Sequence, residues 1–306
     1  MKEWIVTQAG SGKRLDMVLA DHAGRSRKQI KRWLDSGVVR VNGRQVAIAK
    51  WKVKAGDRIT VDDEPVSEAT RERASARRPV RPLYEDATLI AVEKPPGMLV
   101  IPEAGTREPT VVDTVRAYLR RTHPTARGTY VRALHRLDRG TSGVVLLAKT
   151  KGGEAVIQQF KRREIGREYW AIVHGAVARQ RGTITAPLLK GLFGHGKKAA
   201  VANTGRAAIT HYFVEERYQQ ATLLTVRVET GRTHQIRVHL ASIGHPLLGD
   251  TVYGRGFVSP VKLPRDRVAL HAASLSLRHP MSGERLEIRS PLSRDLEQLV
   301  DRLRVG

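Results

Sequence analysis

Apolar positions along the chain change their period several times, and each change marks an element. In residues 14–22, Leu15, Val18 and Leu19 recur at helical spacing. A second helix is expected from Ser26, where Ser26-Arg27-Lys28-Gln29 has the form of a capping box. Ile30, Trp33 and Leu34 make its apolar stripe and Gly37 its stop. Extended segments at 38–41 and 44–48 flank Asn42-Gly43, a pair suited to the left-handed angles of a tight hairpin turn. Residues 62–82 break the pattern with few large apolar side chains, several charges and three prolines, so they read as a linker. Beyond it, β-branched segments and short helical patterns alternate at 89–93, 111–121, 143–148, 153–163, 169–173 and 223–228. The expected fold class is α+β: a small N-terminal helix–helix–hairpin domain over 1–62, a linker over 63–82, and a mixed-sheet domain with flanking helices over 83–306.

Composition narrows the partners. A 306-residue chain with 41% hydrophobic content can fill a real core. Its 54 Lys+Arg against 30 Asp+Glu leave a formal charge of +24, which points to a polyanionic partner, with a membrane surface as the weaker alternative. No apolar run approaches the roughly 20 residues of a spanning helix, and the opening MKEWIVTQAGSGKRLD lacks the apolar core of a signal peptide. A cytoplasmic location is therefore expected. With no cysteine, thiolate nucleophiles and sulfur-ligated zinc are excluded, and any chemistry must run on oxygen and nitrogen groups.

Two places concentrate charge. On the second predicted helix Arg27, Lys28, Lys31 and Arg32 lie off the apolar stripe, a face that either contacts phosphates or is simply solvated. Farther on, His135-Arg136-Leu137-Asp138-Arg139-Gly140-Thr141-Ser142-Gly143 sets a carboxylate among cations in a glycine-punctuated turn ahead of the apolar strand Val144 to Ala148. Flanking arginines favour the charged form of Asp138, which suits a nucleophile better than a general acid. By itself the residue pattern also allows Asp138 a structural role, as a turn cap or an arginine partner.

The whole nine-residue string resembles the signature of the RluA-type pseudouridine synthases. Arg167-Glu168-Tyr169-Trp170-Ala171-Ile172-Val173-His174-Gly175 is similar to the family's second motif. Its third is resembled by Thr230-Gly231-Arg232-Thr233-His234-Gln235-Ile236-Arg237-Val238-His239-Leu240, followed by Gly244-His245-Pro246 and Gly249-Asp250. With Lys94-Pro95-Pro96-Gly97 at its opening, the resemblance runs from Leu83 to about Leu292. It implies a mainly antiparallel catalytic sheet and isomerisation of uridine to pseudouridine in structured RNA, with large-subunit ribosomal RNA the leading substrate and transfer RNA the other. The reaction is redox-neutral, so no cofactor and no metal are expected. The resemblance further implies Asp138 as the catalytic carboxylate, Tyr169 stacked on the base, and Arg237 paired with Asp138. RNA contacts would fall to Arg136, which would fill the gap left by an extruded base, and to Arg232, His234 and Gln235. Over about 50 residues the N-terminal segment resembles the S-four-type RNA-binding domain, through Arg14-Leu15-Asp16, Ser26-Arg27, Ile30 to Leu34, Gly37 and Val39 to Gly43. That assigns Arg27, Lys28, Lys31 and Arg32 to an accessory RNA grip.

Three features invite other readings. The alternation of Ile236, Val238 and Leu240 predicts a half-buried strand. His234, His239 and His245 are common metal ligands, but no HExxH spacing or carboxylate cluster accompanies them. Gly191 to Lys198 nearly spells a P-loop, yet Lys198 stands where a Ser or Thr hydroxyl should reach magnesium, so the segment is expected to be a flexible RNA contact. The competing function is a non-catalytic RNA-binding protein of ribosome assembly. An RNA hydrolase would need further carboxylates for metal, and none cluster near Asp138 in the sequence. No coiled coil or long apolar surface is apparent, and a monomer is expected.

Overall fold

The computed structural model describes residues 2–35, 37–46, 48–61, 80–103, 108–123, 130–193, 197–264 and 266–305, without the side chains of Lys28, Arg32, Leu192, Phe193, Lys197 and Lys198. The chain forms two compact units, Met1–Arg78 with Ile101–Asp113, and Pro79–Val100 with Thr114–Gly306. Of the expected linker, 63–79 lies outside the described residues, and Arg81 and Pro82 already belong to a strand.

In the first unit β1 (Lys2–Ile5) is followed by α1 (Leu15–Ala23), α2 (Arg27–Asp35), β2 (Val39–Val41), β3 (Arg44–Gln45) and β4 (Arg58–Val61). The strands make an antiparallel sheet in the order β1-β4-β2-β3. The expected capping box forms: the Ser26 N–H donates to Gln29 Oε1 at 2.9 Å and the Gln29 N–H reaches Ser26 Oγ at 3.4 Å. Asn42 (φ 51°) and Gly43 (φ 77°) take the expected left-handed turn angles. The Asn42 side chain also accepts the Arg58 N–H at 2.8 Å, pinning the hairpin to β4. All six apolar residues of the two helical stripes are buried in one core with Val39, Val41, Ile59 and Val61. The second strand of the hairpin is shorter than expected, and β1 and β4 were not anticipated.

The second unit is built on a mixed sheet. Its elements are β5 (Arg81–Glu85), β6 (Leu89–Lys94), α3 (Val111–Thr122, whose first turn groups with the first unit), β7 (Arg132–Ala133), β8 (Ser142–Ala148), α4 (Val156–Arg162), β9 (Gly166–His174), β10 (Arg181–Thr185), β11 (Leu188–Phe193), β12 (Lys197–Val201), β13 (Ile209–Arg217), β14 (Ala221–Val228), α5 (Gln235–Ser242), β15 (Leu270–Arg278), β16 (Arg285–Arg289) and α6 (Arg294–Val305). The strand order is β10-β13-β14-β9-β15-β8-β6-β5, with β16 beside β15 and β7 beside β8. Among the described residues every pairing in it is antiparallel except β15 with β8. This is the mixed, mainly antiparallel architecture expected.

One element differs in kind. The strand expected at 236–240 is the helix α5, in which every residue from Gln235 to Leu240 is buried. Two-residue alternation over five positions does not separate strand from helix when the polar members are themselves internal. Arg237 is 8% exposed and His239 is fully buried, its ring bonded to Thr210 Oγ1 at 2.9 Å and the Ala186 carbonyl at 3.0 Å. The P-loop-like segment lies on the hairpin β11–β12, where a P-loop would lead into a helix; residues 194–196 are outside the description.

Candidate active site

Asp138 sits in the turn that feeds β8, closed by the Thr141 N–H donating to the Asp138 carbonyl at 3.1 Å. Two glycines let this turn press against the segment leading into β15. A side chain at Gly140 would place its Cβ 2.2 Å from the Asp266 carbonyl oxygen. At Gly143, where φ is +110°, it would lie 2.2 Å from the Ala272 carbonyl oxygen. Gly143 belongs to one row across the sheet that passes from Lys94 on β6 through Gly143 on β8, Ala272 on β15 and Tyr169 on β9 to Val226 on β14. Tyr169 is thereby set beside the turn that carries Asp138. Burial raises the pKa of its phenol; Arg167 opposes that shift and the Asp138 charge adds to it.

Two nitrogen groups face the Asp138 carboxylate, whose side chain is 29% exposed and so open to a ligand. Arg237 Nη1 donates to Oδ2 at 3.3 Å, and His234 Nε2 lies 3.8 Å from the same oxygen. Arg237 is itself gripped by Asp250, a fully buried carboxylate that accepts from Nε at 2.7 Å and from Nη2 at 2.9 Å. Burial works against the guanidinium charge, but Asp250 and then Asp138 outweigh it, so its pKa ends above the usual value. The fork of Asp250 fixes the plane of Arg237 and leaves one edge for Asp138.

The start of α5 is held as firmly. His234 takes a left-handed conformation (φ 54°) at the cap. Gln235 Oε1 accepts from the Thr230 hydroxyl at 2.8 Å and the Arg232 N–H at 3.0 Å. Its amide nitrogen donates to the Ile209 carbonyl at 2.9 Å and Thr210 Oγ1 at 3.0 Å. Gln235, expected among the RNA contacts, is buried with its amide engaged internally, so it fixes α5 onto β13. Arg232 is partly exposed and donates from Nε to the Ala207 carbonyl at 3.1 Å. Arg136 is exposed beside Asp138 in the chain, as are Arg27 and Lys31 on α2 of the first unit; the side chains of Lys28 and Arg32 lie outside the described residues.

Beneath the turn lie two cations to which the sequence assigned no role. Lys94, fully buried, donates to the carbonyls of Pro95, Met98 and Arg139 at 2.8–3.0 Å. Burial, with Arg267 nearby, pulls its pKa down to about 7, while Asp138 favours the proton. Arg267, 1% exposed, donates to the carbonyls of Gly140, Val268 and Leu270, to the Ser142 and Ser293 hydroxyls, and to Asp295 on α6 at 2.6 Å. These residues tie the Asp138 turn to β6 and to the last helix. Lys94 was visible as part of the Lys94-Pro95-Pro96-Gly97 string; nothing in the sequence distinguishes Arg267 from its many fellow arginines.

The arrangement offers an accessible carboxylate in the turn ahead of β8, oriented by a clamped arginine, with the Tyr169 phenol on the cross-sheet row of Gly143. A family model described as RNA pseudouridylate synthase matches residues 88–242, and an S4 domain model matches residues 13–59. The chain belongs to the RNA pseudouridylate synthase family. It is 37% identical over 307 residues to the ribosomal large subunit pseudouridine synthase D of Haemophilus influenzae, covering 96% of this chain and 92% of that protein. The protein of the same name from Escherichia coli strain K12 is 36% identical over 314 residues, covering 98% and 93%. Among solved structures, human RNA pseudouridylate synthase domain containing 4 aligns with a TM-score of 0.61 at 26% identity, covering 76% of this chain and 95% of its own. The synthase is therefore an isomerase that converts uridine to pseudouridine in RNA, and the non-catalytic reading is not favoured.

Proposed function

We propose that this synthase modifies uridines of large-subunit ribosomal RNA, with Asp138 as the carboxylate that acts at the sugar. The observation that carries the reading is the open Asp138 carboxylate held 3.3 Å from an arginine that Asp250 already fixes on two atoms. In the reaction the bond from uracil N1 to the ribose breaks, the base turns, and C5 joins the ribose; the C5 proton leaves and N1 takes one up. No electrons enter or leave overall. Arg237 keeps the carboxylate in place, and the protonated phenol of Tyr169 stacks on the base. A stacked uridine must first leave its helix, at a cost of a few kcal/mol that backbone contacts offset, with Arg136 taking the vacated space. Arg232 and the first unit, through Arg27, Lys28, Lys31 and Arg32, hold phosphates. The large-subunit substrate is favoured over transfer RNA by the names of the relatives together with the S4 domain. The synthase works as a cytoplasmic monomer in this reading.

The test is pseudouridine mapping, by carbodiimide modification and reverse transcription, of ribosomal and transfer RNA from cells lacking the gene and complemented with wild type or Asp138→Asn. Stops in large-subunit RNA that only the wild type restores are expected. Stops restored equally by Asp138→Asn would remove Asp138 from its role, and stops confined to transfer RNA would overturn the substrate.

A further inference from the structure

Tyr253 lies three residues beyond Asp250 and touches both Arg237 and His234, the two nitrogen groups described facing Asp138. Its backbone N–H donates to Asp250 Oδ1 at 3.0 Å, the oxygen that also accepts from Arg237 Nη2. Its ring lies 5.2 Å from the guanidinium carbon of Arg237 and meets the His234 ring edge-on, with centroids 5.6 Å apart. Its hydroxyl is 2.9 Å from His234 Nδ1, the nitrogen opposite the one directed at Asp138. The same hydroxyl accepts the Ala199 N–H and donates to the Ala199 carbonyl, each at 3.2 Å. Ala199 belongs to β12, one arm of the hairpin whose Lys190, Lys197 and Lys198 make it basic. Ala199, Leu188, Ala208 and Val238 of α5 form a small core on which Tyr253 packs. The hairpin and the two groups facing the carboxylate thus share one residue, and the link is polar and directional at both ends.

We propose that Tyr253 is a positioning residue that couples RNA engagement by the β11–β12 hairpin to the geometry at Asp138. Phosphates drawn to the hairpin settle β12; Ala199 then fixes the Tyr253 hydroxyl, and the hydroxyl fixes the His234 ring beside the carboxylate while the Tyr253 ring supports Arg237. Substrate that fails to seat on the hairpin meets a looser site, so the device adds selectivity at the rate step. The proposal rests on Asp138 being the catalytic carboxylate. Position between two sites is not coupling, and a double-mutant cycle measures it.

Single-turnover rates and RNA affinity would be measured for the full-length enzyme on a transcript carrying a mapped uridine, with release of tritium from C5 as the readout. Tyr253→Phe keeps the ring and removes the hydroxyl; it is expected to slow the reaction roughly tenfold, the order set by losing more than one hydrogen bond, with affinity unchanged within about twofold. Replacing Lys190, Lys197 and Lys198 with alanine is expected to lower both affinity and rate in the wild type. In the Tyr253→Phe background it should lower affinity alone. His234→Phe, which cuts the chain one link nearer Asp138, should likewise abolish the hairpin's effect on rate, and it covers the case of a Tyr253 variant that melts early. Rate losses that multiply in the combined variants, or a Tyr253→Phe enzyme as fast as wild type, would overturn the coupling. An inactive Asp138→Asn control separates that outcome from failure of the catalytic assignment, which an active Asp138→Asn enzyme would signal.

Discussion

Helix α2 of the first unit carries cations expected to grip RNA and helix α5 of the second carries the arginine expected to pair with Asp138, and the two helices treat their cations in opposite ways. Arg27 and Lys31 stand exposed on α2, whose packing is left to Ile30, Trp33 and Leu34. On α5 Arg237 is 8% exposed and held by two carboxylates, and below it Arg267 and Lys94 are buried among carbonyls. A charge excess of +24 therefore hides two uses. Exposed cations act by number and are screened by salt; buried ones act by geometry, at a desolvation cost that only a full set of partners offsets.

The sharpest way to break this contrast is Asp250→Ala. It strips the bidentate partner from a buried guanidinium, and the expected loss is about 3–5 kcal/mol of stability, together with turnover. Denaturant unfolding and the C5 tritium assay would read both. Adding Arg237→Met should return much of the stability, because no uncompensated charge then remains, while turnover stays lost. An Asp250→Ala enzyme as stable as wild type would mean that Arg237 is not held as the geometry implies.

The contrast also explains what could be read from the sequence. The N-terminal unit rests on local rules: a capping box from Ser26 to Gln29 and a turn at Asn42-Gly43 are decided within a few residues, and both formed as expected. Its outer strand β1 has no alternating pattern of its own, and the returning β4 alternates, with Ile59 and Val61 buried, over only four residues. In the catalytic unit Asp138, Tyr169 and Arg237 were named because they lie in strings long enough to resemble a family. Asp250 stands in such a string with no legible role, since its pairing with Arg237 depends on how α5 folds, and the alternation there predicts a strand. Arg267 meets Asp295 across 28 residues that include β15 and β16, and the Gly140 carbonyl across 127, and no local rule reaches that far.

A smaller effect tests whether interior imidazoles follow the same logic as the buried cations. His135 accepts the Leu146 N–H at 3.0 Å, and burial lowers its pKa to about 3; burial likewise takes His271 to about 4. Both values lie below the roughly 6.5 of an unfolded histidine. Between those limits the unfolded chain binds more protons than the folded one, so stability is full above pH 6.5 and falls as pH drops towards 4. His135→Gln, which has no proton to gain, should flatten that decline by up to ~1.4 kcal/mol per pH unit. Urea unfolding at several pH values is the measurement, and an unchanged slope would show that the His135 ring takes up its proton as readily in the folded protein as in the unfolded chain.

The smallest effect belongs to the exposed set. Lys31→Ala on α2 removes one cation from a face without touching the apolar stripe, so stability should stay within about 0.5 kcal/mol of wild type. RNA affinity should fall severalfold, and the slope of log affinity against log salt should become shallower by about one unit, as expected when one phosphate contact and its released counterion are lost. The rate at saturating RNA should not change, because the groups described facing Asp138 are Arg237 of α5 and His234 at its cap. If Lys31→Ala lowered that rate while leaving the salt slope alone, the exposed face would be acting by geometry, and the division between the two kinds of cation would fail.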